Sequence, residues 1–118
     1  VTCMEMLEHV PEPASVIKSC AALVKSGGLV FFSTLNRHPA AFALGIVAAE
    51  YLLNWIPKGT HQYQNFIKPS ELAQQARLVG LEIIAIKGIG YAPWRDKAYP
   101  FVLSGDARVN YMMVARKL

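Results

Sequence analysis

The sequence predicts an α/β fold in which parallel strands are joined by a helix. Val1–Met4 is a short apolar run that reads as the end of a buried strand. Leu29–Thr34 is a continuous β-rich run, typical of a strand that is buried on both faces. Between them, Ala14–Val24 places its apolar residues at helical spacing. This order of strand, helix and strand is a βαβ unit, whose crossover is right-handed in nearly all proteins.

The junctions carry residues that begin and end helices. Pro13 suits the first turn of the helix, and Ser26-Gly27-Gly28 ends it because glycine adopts the left-handed conformation at little cost. Further along, the pattern predicts a helix over Pro69–Val79, a strand over Leu81–Ile89, a loop over Gly90–Arg108 and a last strand over Val109–Arg116.

The composition is that of a chain able to bury a core and to meet an anionic partner. Of its 118 residues, 53% are hydrophobic and 17% are charged, and the formal net charge is +4. Glu5, Glu8 and Glu12 lie near the start, so the remainder is more basic than the total indicates. A phospholipid surface or a negatively charged cofactor fits that balance. Runs of Lys and Arg are missing, which disfavours nucleic acid as a partner.

The densest chemistry lies just after the first strand. Glu5, Glu8 and His9 have the spacing i, i+3, i+4, which on one helical turn places all three on one face. All three side chains would supply metal ligands, or the two carboxyl groups would be acid/base partners for the histidine. A plainer interpretation stays open, in which the acids favour a helix N-terminus and His9 bonds a backbone carbonyl. Met4 ends the strand where ligands bind in open α/β sheets, and is either a core residue or a cofactor contact.

A second unusual stretch is Ala40–Ile56, whose one charged residue is Glu50. Cations flank this segment and amphipathic rings lie near its end, which fits a helix lying on a membrane surface. A buried helix or a dimer contact fits equally well. In the loop that follows, Lys58, Thr60 and His61 are candidates for contacts with a substrate, or solvated loop residues.

Several motifs together resemble a known enzyme family. LEHVPEP, followed by LVKSGGLVFFSTLNR, AAEYLLNWIPKGTH, FIKPSEL and VNYM, resembles the bacterial ubiquinone-biosynthesis O-methyltransferases, which are class I S-adenosylmethionine-dependent methyltransferases. The likeness covers essentially the whole chain. It implies that residues 1–118 are the C-terminal portion of one Rossmann-like methyltransferase domain. Its sheet would be mostly parallel with an antiparallel last strand, and an apolar helix and loop would be inserted at about 38–67.

The resemblance also implies a reaction and its ligands. A methyl group would pass from S-adenosylmethionine to a phenolic or catechol hydroxyl of a polyprenylated ubiquinone precursor. Met4 matches a position that touches the donor. Glu5, Glu8 and His9 match a divalent-metal motif of mitochondrial relatives, and their hard oxygen ligands favour Mg²⁺. The hydroxyl would be ionised either by that cation or by His9 acting as the base.

The same resemblance implies a location and partners. We predict a cytoplasmic protein, peripheral to the inner membrane, with an anionic membrane surface and other ubiquinone-pathway enzymes as partners. Cys3 and Cys20 would then be reduced, buried thiols.

The family's glycine-rich donor loop and acidic ribose-binding residue do not occur in this sequence. We therefore expect an N-terminal part of the fold to be missing and the chain alone to bind the donor weakly. The uncovered sheet edge would favour self-association. The alternative function is a non-catalytic, membrane-docking fragment or pseudoenzyme. A C-methyltransferase of the same pathway is a further alternative, which the PKGTH segment disfavours.

Overall fold

The computed structural model describes residues 1–43, 63–91, 94, 98 and 101–118. In this part of the chain the strands are β1 (Thr2–Met4), β2 (Leu29–Leu35), β3 (Leu81–Tyr91), β4 (Phe101–Ser104) and β5 (Asn110–Lys117). The helices are α1 (Pro13–Leu23), the single turn α2 (Pro39–Ala41) and α3 (Pro69–Leu78), and 3₁₀ turns lie at Leu7–His9 and Tyr63–Asn65. The predicted α/β class is confirmed.

The strands form one mixed sheet with the order β1-β2-β5-β3-β4. β1 pairs with β2 in parallel, as the βαβ pattern predicts. β5 lies antiparallel to both β2 and β3, so the predicted antiparallel last strand is confirmed. This last strand enters the sheet between β2 and β3 instead of extending its edge.

α1 connects β1 to β2 and covers part of one face of the sheet. Pro13 stands at its first turn, where the missing N–H costs nothing. Ile17, Cys20 and Ala21 follow at helical spacing and are its buried residues. They pack in the same core as Phe32 of β2. The apolar stripe that the sequence predicts is therefore the face that holds this helix on the sheet.

The main core lies between the sheet and helices α1 and α3. Its buried side chains from the later elements are Leu72, Ala73, Ala76, Leu81, Tyr111, Met113 and Ala115. Full burial of a leucine-sized side chain contributes about 1.5–3 kcal/mol. Cys3 and Cys20 are free, buried thiols in this core, as predicted. Burial, and then the neighbouring Cys20, raise the pKa of Cys3 to about 11, so Cys3 stays neutral.

Glu71 ties the start of α3 to the carboxyl end of β2. Its Oε1 accepts a hydrogen bond from the Lys68 N–H at 2.9 Å, which caps the helix. Its Oε2 accepts one from Arg37 Nη2 at 2.7 Å. Arg37 Nη1 also donates to the Phe66 carbonyl at 3.3 Å. This arginine therefore holds the segment before α3 against the end of β2.

The predicted loop over Gly90–Arg108 is wrong in part. β3 continues to Tyr91, and Phe101–Ser104 pairs with it as the antiparallel strand β4. Prolines and scattered aromatic residues in this region are typical of loops. The strand depends on hydrogen bonds to β3, which local composition does not report.

The apolar helix predicted over Ala40–Ile56 lies mostly outside the described residues. Lys58, Thr60 and His61 lie outside them entirely. Within the described ranges, no helix has the length and hydropathy needed to cross a bilayer.

Candidate functional site

The carboxyl ends of β1 and β2 meet at one edge of the sheet. Because the two strands are parallel and Met4 pairs with Ser33, the segment after β1 begins beside the end of β2. Glu5, Glu8 and His9 come from that segment. Ser33 and Thr34 lie near the carboxyl end of β2, and their hydroxyls contact the carboxyl groups of Glu5 and Glu8.

Glu5 turns the chain sharply at this edge. Its φ is 50°, a left-handed conformation that costs a non-glycine residue roughly 1–2 kcal/mol. In return its N–H donates to the Ser33 carbonyl at 2.8 Å and lies 3.1 Å from Ser33 Oγ. The helical turn begins only later, at Leu7–His9. The prediction that Glu5, Glu8 and His9 share one helical face is therefore wrong, because Glu5 precedes the helix with non-helical backbone angles.

Glu8 is the buried carboxyl group of the site. It is 4% exposed, and its Oε2 accepts a hydrogen bond of 2.6 Å from Thr34 Oγ1. Its Oε1 lies 3.8 Å from Nε2 of His9, whose side chain is 45% exposed. Burying a carboxylate is costly unless partners stabilise it, and the hydroxyl and the imidazole do so here. The arrangement gives the accessible histidine a buried carboxyl partner.

Glu5 and Glu8 form a carboxyl pair. Glu5 Oε1 accepts a hydrogen bond from Ser33 Oγ at 3.3 Å. Glu5 is an exposed residue, yet partial loss of solvent at this edge, followed by the Glu8 carboxyl, raises the pKa of Glu5 to about 7, while the Ser33 hydroxyl acts in the opposite direction. Two close carboxyl groups do not ionise together without cost. This pair therefore favours a shared proton or a cation near neutral pH.

The structure brings together only part of the predicted metal-ligand set. Across the described ranges, no group of three or more His, Cys, Asp or Glu side chains is placed to hold a metal ion. The Glu5–Glu8 pair supplies oxygen ligands, and His9 stands beside Glu8. Met4, the predicted donor contact, is 45% exposed at the end of β1 and so is not a core residue.

A cavity of about 320 Å³ adjoins the segment that follows His9. Its walls include Val10, Pro11, Ile17, Phe66 and Leu72, with the Arg37–Glu71 ion pair beside them. Gln64, Asn65 and Gln75 add three amide side chains to these walls. The mixture of apolar side chains, amides and one neutralised ion pair suits an uncharged molecule with both polar and apolar parts. The sequence did not predict this cavity, since its walls come from α1, α3 and the segment before α3.

Sequence reasoning also missed Ser33 and Thr34. The available signal was a pair of hydroxyl residues ending an otherwise apolar strand, in LVFFST. Both are buried, with Ser33 1% and Thr34 0% exposed. Buried hydroxyls need hydrogen-bond partners. Those partners are the carboxyl groups after β1, which lie 28 and 26 residues away in sequence.

Replacing Glu5 with glutamine is expected to change the pH dependence of stability. The folded-state pKa of Glu5, about 7, lies above its ordinary value of 4.5, so between these values the folded state holds a proton that the unfolded state releases. Wild-type stability therefore falls as pH rises from 4.5 to 7 and stays low above it. Glu5→Gln should remove this fall and gain on the order of 1 kcal/mol at pH 8, a value reduced for solvent screening.

Urea denaturation at pH 5 and pH 8 measures this effect. The matched control is Glu12→Gln, because Glu12 is an exposed carboxylate before α1 with no side-chain capping hydrogen bond. It should keep the wild-type pH dependence. The same dependence in Glu5→Gln as in wild type would contradict the raised pKa of Glu5.

Several known proteins are similar in sequence to this chain. Residues 1–86 match the family model described as a methyltransferase domain. The chain is 57% identical over 117 residues to a Bordetella avium protein named ubiquinone biosynthesis O-methyltransferase, covering 99% of this chain and 47% of that protein. A Xanthomonas euvesicatoria protein of the same name is 55% identical, with 48% of it covered. The chain thus spans about half the length of the curated relatives it matches.

Solved structures show the same fold at low identity. A possible histamine N-methyltransferase from Thermotoga maritima, described as SAM-dependent, aligns with a TM-score of 0.64 at 13% identity, covering 99% of this chain and 55% of that one. A putative S-adenosylmethionine dependent methyltransferase from Listeria monocytogenes gives a TM-score of 0.58 at 16% identity, covering 100% of this chain and 60% of that one. These likenesses confirm the predicted Rossmann-like arrangement and concern the fold alone.

Proposed function

This chain belongs to the methyltransferase-domain family, and from that membership we propose that it is half of an S-adenosylmethionine-dependent O-methyltransferase. The acceptor we propose is a phenolic or catechol hydroxyl of a polyprenylated ubiquinone precursor. The names of its 57% and 55% identical relatives support this choice. We call this chain, together with the remaining half that those relatives have, the complete enzyme.

The observation that carries the proposal is the His9–Glu8 arrangement at the carboxyl edge. A free phenol has a pKa of about 10, so it must lose its proton to become a good nucleophile near pH 7. His9 is exposed enough to meet an acceptor, and Glu8 stands 3.8 Å behind it to stabilise the protonated imidazole. When bound, S-adenosylmethionine supplies an electrophilic methyl group. His9 would take the hydroxyl proton as the acceptor oxygen bonds that methyl carbon and the bond from the carbon to the donor sulfur breaks, which releases S-adenosylhomocysteine.

The donor side of the site would begin at Met4. Its side chain is 45% exposed at the carboxyl end of β1, where ligands of open α/β sheets bind. Most of the donor contacts would come from the other half of the complete enzyme. On the acceptor side, we propose that Lys58, Thr60 and His61 contact the substrate.

A divalent cation, Mg²⁺ by preference, is the alternative way to ionise the hydroxyl, because a His9 bound to the cation would not act as the base. Glu5 and Glu8 offer the oxygen ligands that hard cations prefer, and His9 would be the third ligand. A bound cation would also offset the repulsion between the two carboxyl groups. We expect EDTA to lower turnover of the complete enzyme and added Mg²⁺ to restore it. Turnover that EDTA leaves unchanged would favour His9 acting as a base without a metal.

We propose that Ala40–Ile56 docks the complete enzyme on an anionic membrane surface, so that a polyprenylated acceptor can enter from lipid. The protein would then be cytoplasmic and peripheral to the inner membrane, near other ubiquinone-pathway enzymes. The support is the apolar sequence with flanking cations and terminal aromatic rings. We expect co-flotation with liposomes containing anionic lipid, and loss of flotation when residues 40–56 are deleted. A folded complete enzyme that does not float would contradict docking.

The second candidate is a non-catalytic membrane-docking module, because the chain covers only about half of its relatives. Calorimetric titration with S-adenosylhomocysteine separates the candidates. Binding by the complete enzyme, with little or none by this chain alone, supports half of an enzyme. No binding by either, under conditions in which both are folded, would favour the docking module. Self-association of the chain alone through the β1 edge is also proposed, and light scattering would detect it.

A further inference from the structure

We propose that Thr34, supported by Ser33, is a positioning residue that orients the Glu8 carboxyl behind His9 for proton transfer. This inference rests on the proposed function and deepens it. It concerns two residues of β2. The site residues predicted near the start of the chain all lie at the end of β1 or in the segment that follows it. The contact that carries it is the 2.6 Å hydrogen bond from Thr34 Oγ1 to Glu8 Oε2.

The hydrogen bond is enclosed. Thr34 is 0% exposed and Glu8 is 4% exposed. A short bond from a hydroxyl to a carboxylate is charge-assisted, and such bonds are stronger and more directional than neutral ones. Because water has little access, no solvent molecule can easily replace the hydroxyl if it is removed. The direction of the Glu8 carboxyl therefore depends on Thr34.

Other contacts already hold the turn itself in place. Leu7 is completely buried in the main core, which anchors the 3₁₀ turn Leu7–His9 to the sheet. The Glu5 N–H bonds Ser33 at the start of the same segment. Removing the Thr34 hydroxyl should therefore change where the Glu8 carboxyl points more than whether the turn forms.

The consequence falls on His9. One carboxyl oxygen of Glu8 meets Thr34, and the other lies 3.8 Å from His9 Nε2. If Oε2 loses its donor, the carboxyl can rotate toward another partner and withdraw Oε1 from the imidazole. The Glu8 contact is then lost from a His9 side chain that is 45% exposed. A displacement of about 1 Å at a reacting group can cost about 10²-fold in rate.

Ser33 does the equivalent for the neighbouring carboxyl group. Its hydroxyl donates to Glu5 Oε1 at 3.3 Å and lies 3.1 Å from the Glu5 N–H. Consecutive strand residues point to opposite faces of a sheet. The end of β2 therefore contacts the segment after β1 from both faces of the sheet. The Ser33 hydroxyl bonds the Glu5 carboxyl group, and the Thr34 hydroxyl bonds the Glu8 carboxyl group.

Thr34→Val in the complete enzyme tests the inference, since valine keeps the shape of threonine and removes the hydroxyl. We expect kcat per folded molecule to fall at least about 10-fold, with the KM for the methyl donor unchanged. Thr34→Ser, which keeps the hydroxyl, should recover most of the lost turnover. The control is Ser19→Ala, which removes an exposed hydroxyl on α1 that donates to the Ser15 carbonyl in the same helix. It should turn over like wild type.

The outcomes separate this inference from the proposed function. A wild-type complete enzyme that transfers no methyl group overturns the proposed function and the inference with it. An active wild type with equally fast Thr34→Val overturns the positioning role alone. So does a variant that loses only stability, with normal kcat per folded molecule. Should Thr34→Val not fold, Thr34→Ala replaces it, and equal turnover in the Ala and Ser variants would overturn the role.

Discussion

Replacing His9 with alanine in the complete enzyme is expected to lower kcat by about 10²–10⁴-fold, the usual contribution of a general base. The reason is geometric, since His9 is the exposed basic group beside the buried Glu8 carboxyl, at 3.8 Å. Affinity for S-adenosylhomocysteine should change little, because the donor contacts that we propose are Met4 and residues in the other half of the enzyme. Single-turnover kinetics and calorimetric titration measure the two quantities separately.

His9→Asn distinguishes a base from a structural hydrogen-bond donor. Asparagine offers an amide N–H but cannot accept a proton near neutral pH. We expect His9→Asn to be as slow as His9→Ala. If asparagine restores wild-type turnover, His9 only holds the local structure, and the role of base is lost.

Gly88 is expected to give the largest loss of stability, in a region remote in sequence from His9. A methyl group on Gly88 would overlap the carbonyl of Asp106 and would lie 3.1 Å from the Ala107 N. These are backbone atoms of the segment that leads from β4 into β5, so no side chain can turn aside to make room. We expect Gly88→Ala to lower the free energy of unfolding by about 3 kcal/mol or more.

Gly105→Ala is the matched control, since it lies in the same β4–β5 connection and no heavy atom lies within 4 Å of its added methyl. It should unfold at nearly the wild-type urea concentration. Urea denaturation of the complete enzyme compares the two variants. Equal midpoints would show that the connection between β4 and β5 does not pack on Gly88.

The helical spacing of Glu5, Glu8 and His9 did not predict their arrangement at the site correctly. The spacing i, i+3, i+4 places side chains on one face only when all the residues between them are helical. Glu5 has a φ of 50°, and the helical turn is confined to Leu7–His9. What the sequence predicted correctly is that these residues stand at the carboxyl edge, because parallel strands bring their carboxyl ends together.

The strand order likewise combines features that the local sequence predicts with features that depend on contacts between distant segments. Helical spacing in α1, the glycines after it and the apolar run of β2 are local features, and they predicted the βαβ unit correctly. β4 is absent from that prediction because prolines and scattered aromatic residues lie close to its four residues, and local composition does not report its hydrogen bonds to β3. The place of β5 between β2 and β3 depends on hydrogen bonds between strands distant in the chain.

The sequence by itself determined the α/β class, the parallel pair, the family resemblance and the candidate residues of the site, since each depends on residue type and local spacing. Only the tertiary structure decided that Glu5 leaves the helical turn and that Glu8 is buried. It also decided that the hydroxyls of Ser33 and Thr34 donate hydrogen bonds to the two carboxyl groups. The physical reason is that these contacts join residues 26 and 28 positions apart, and they arise from the packing of two strands.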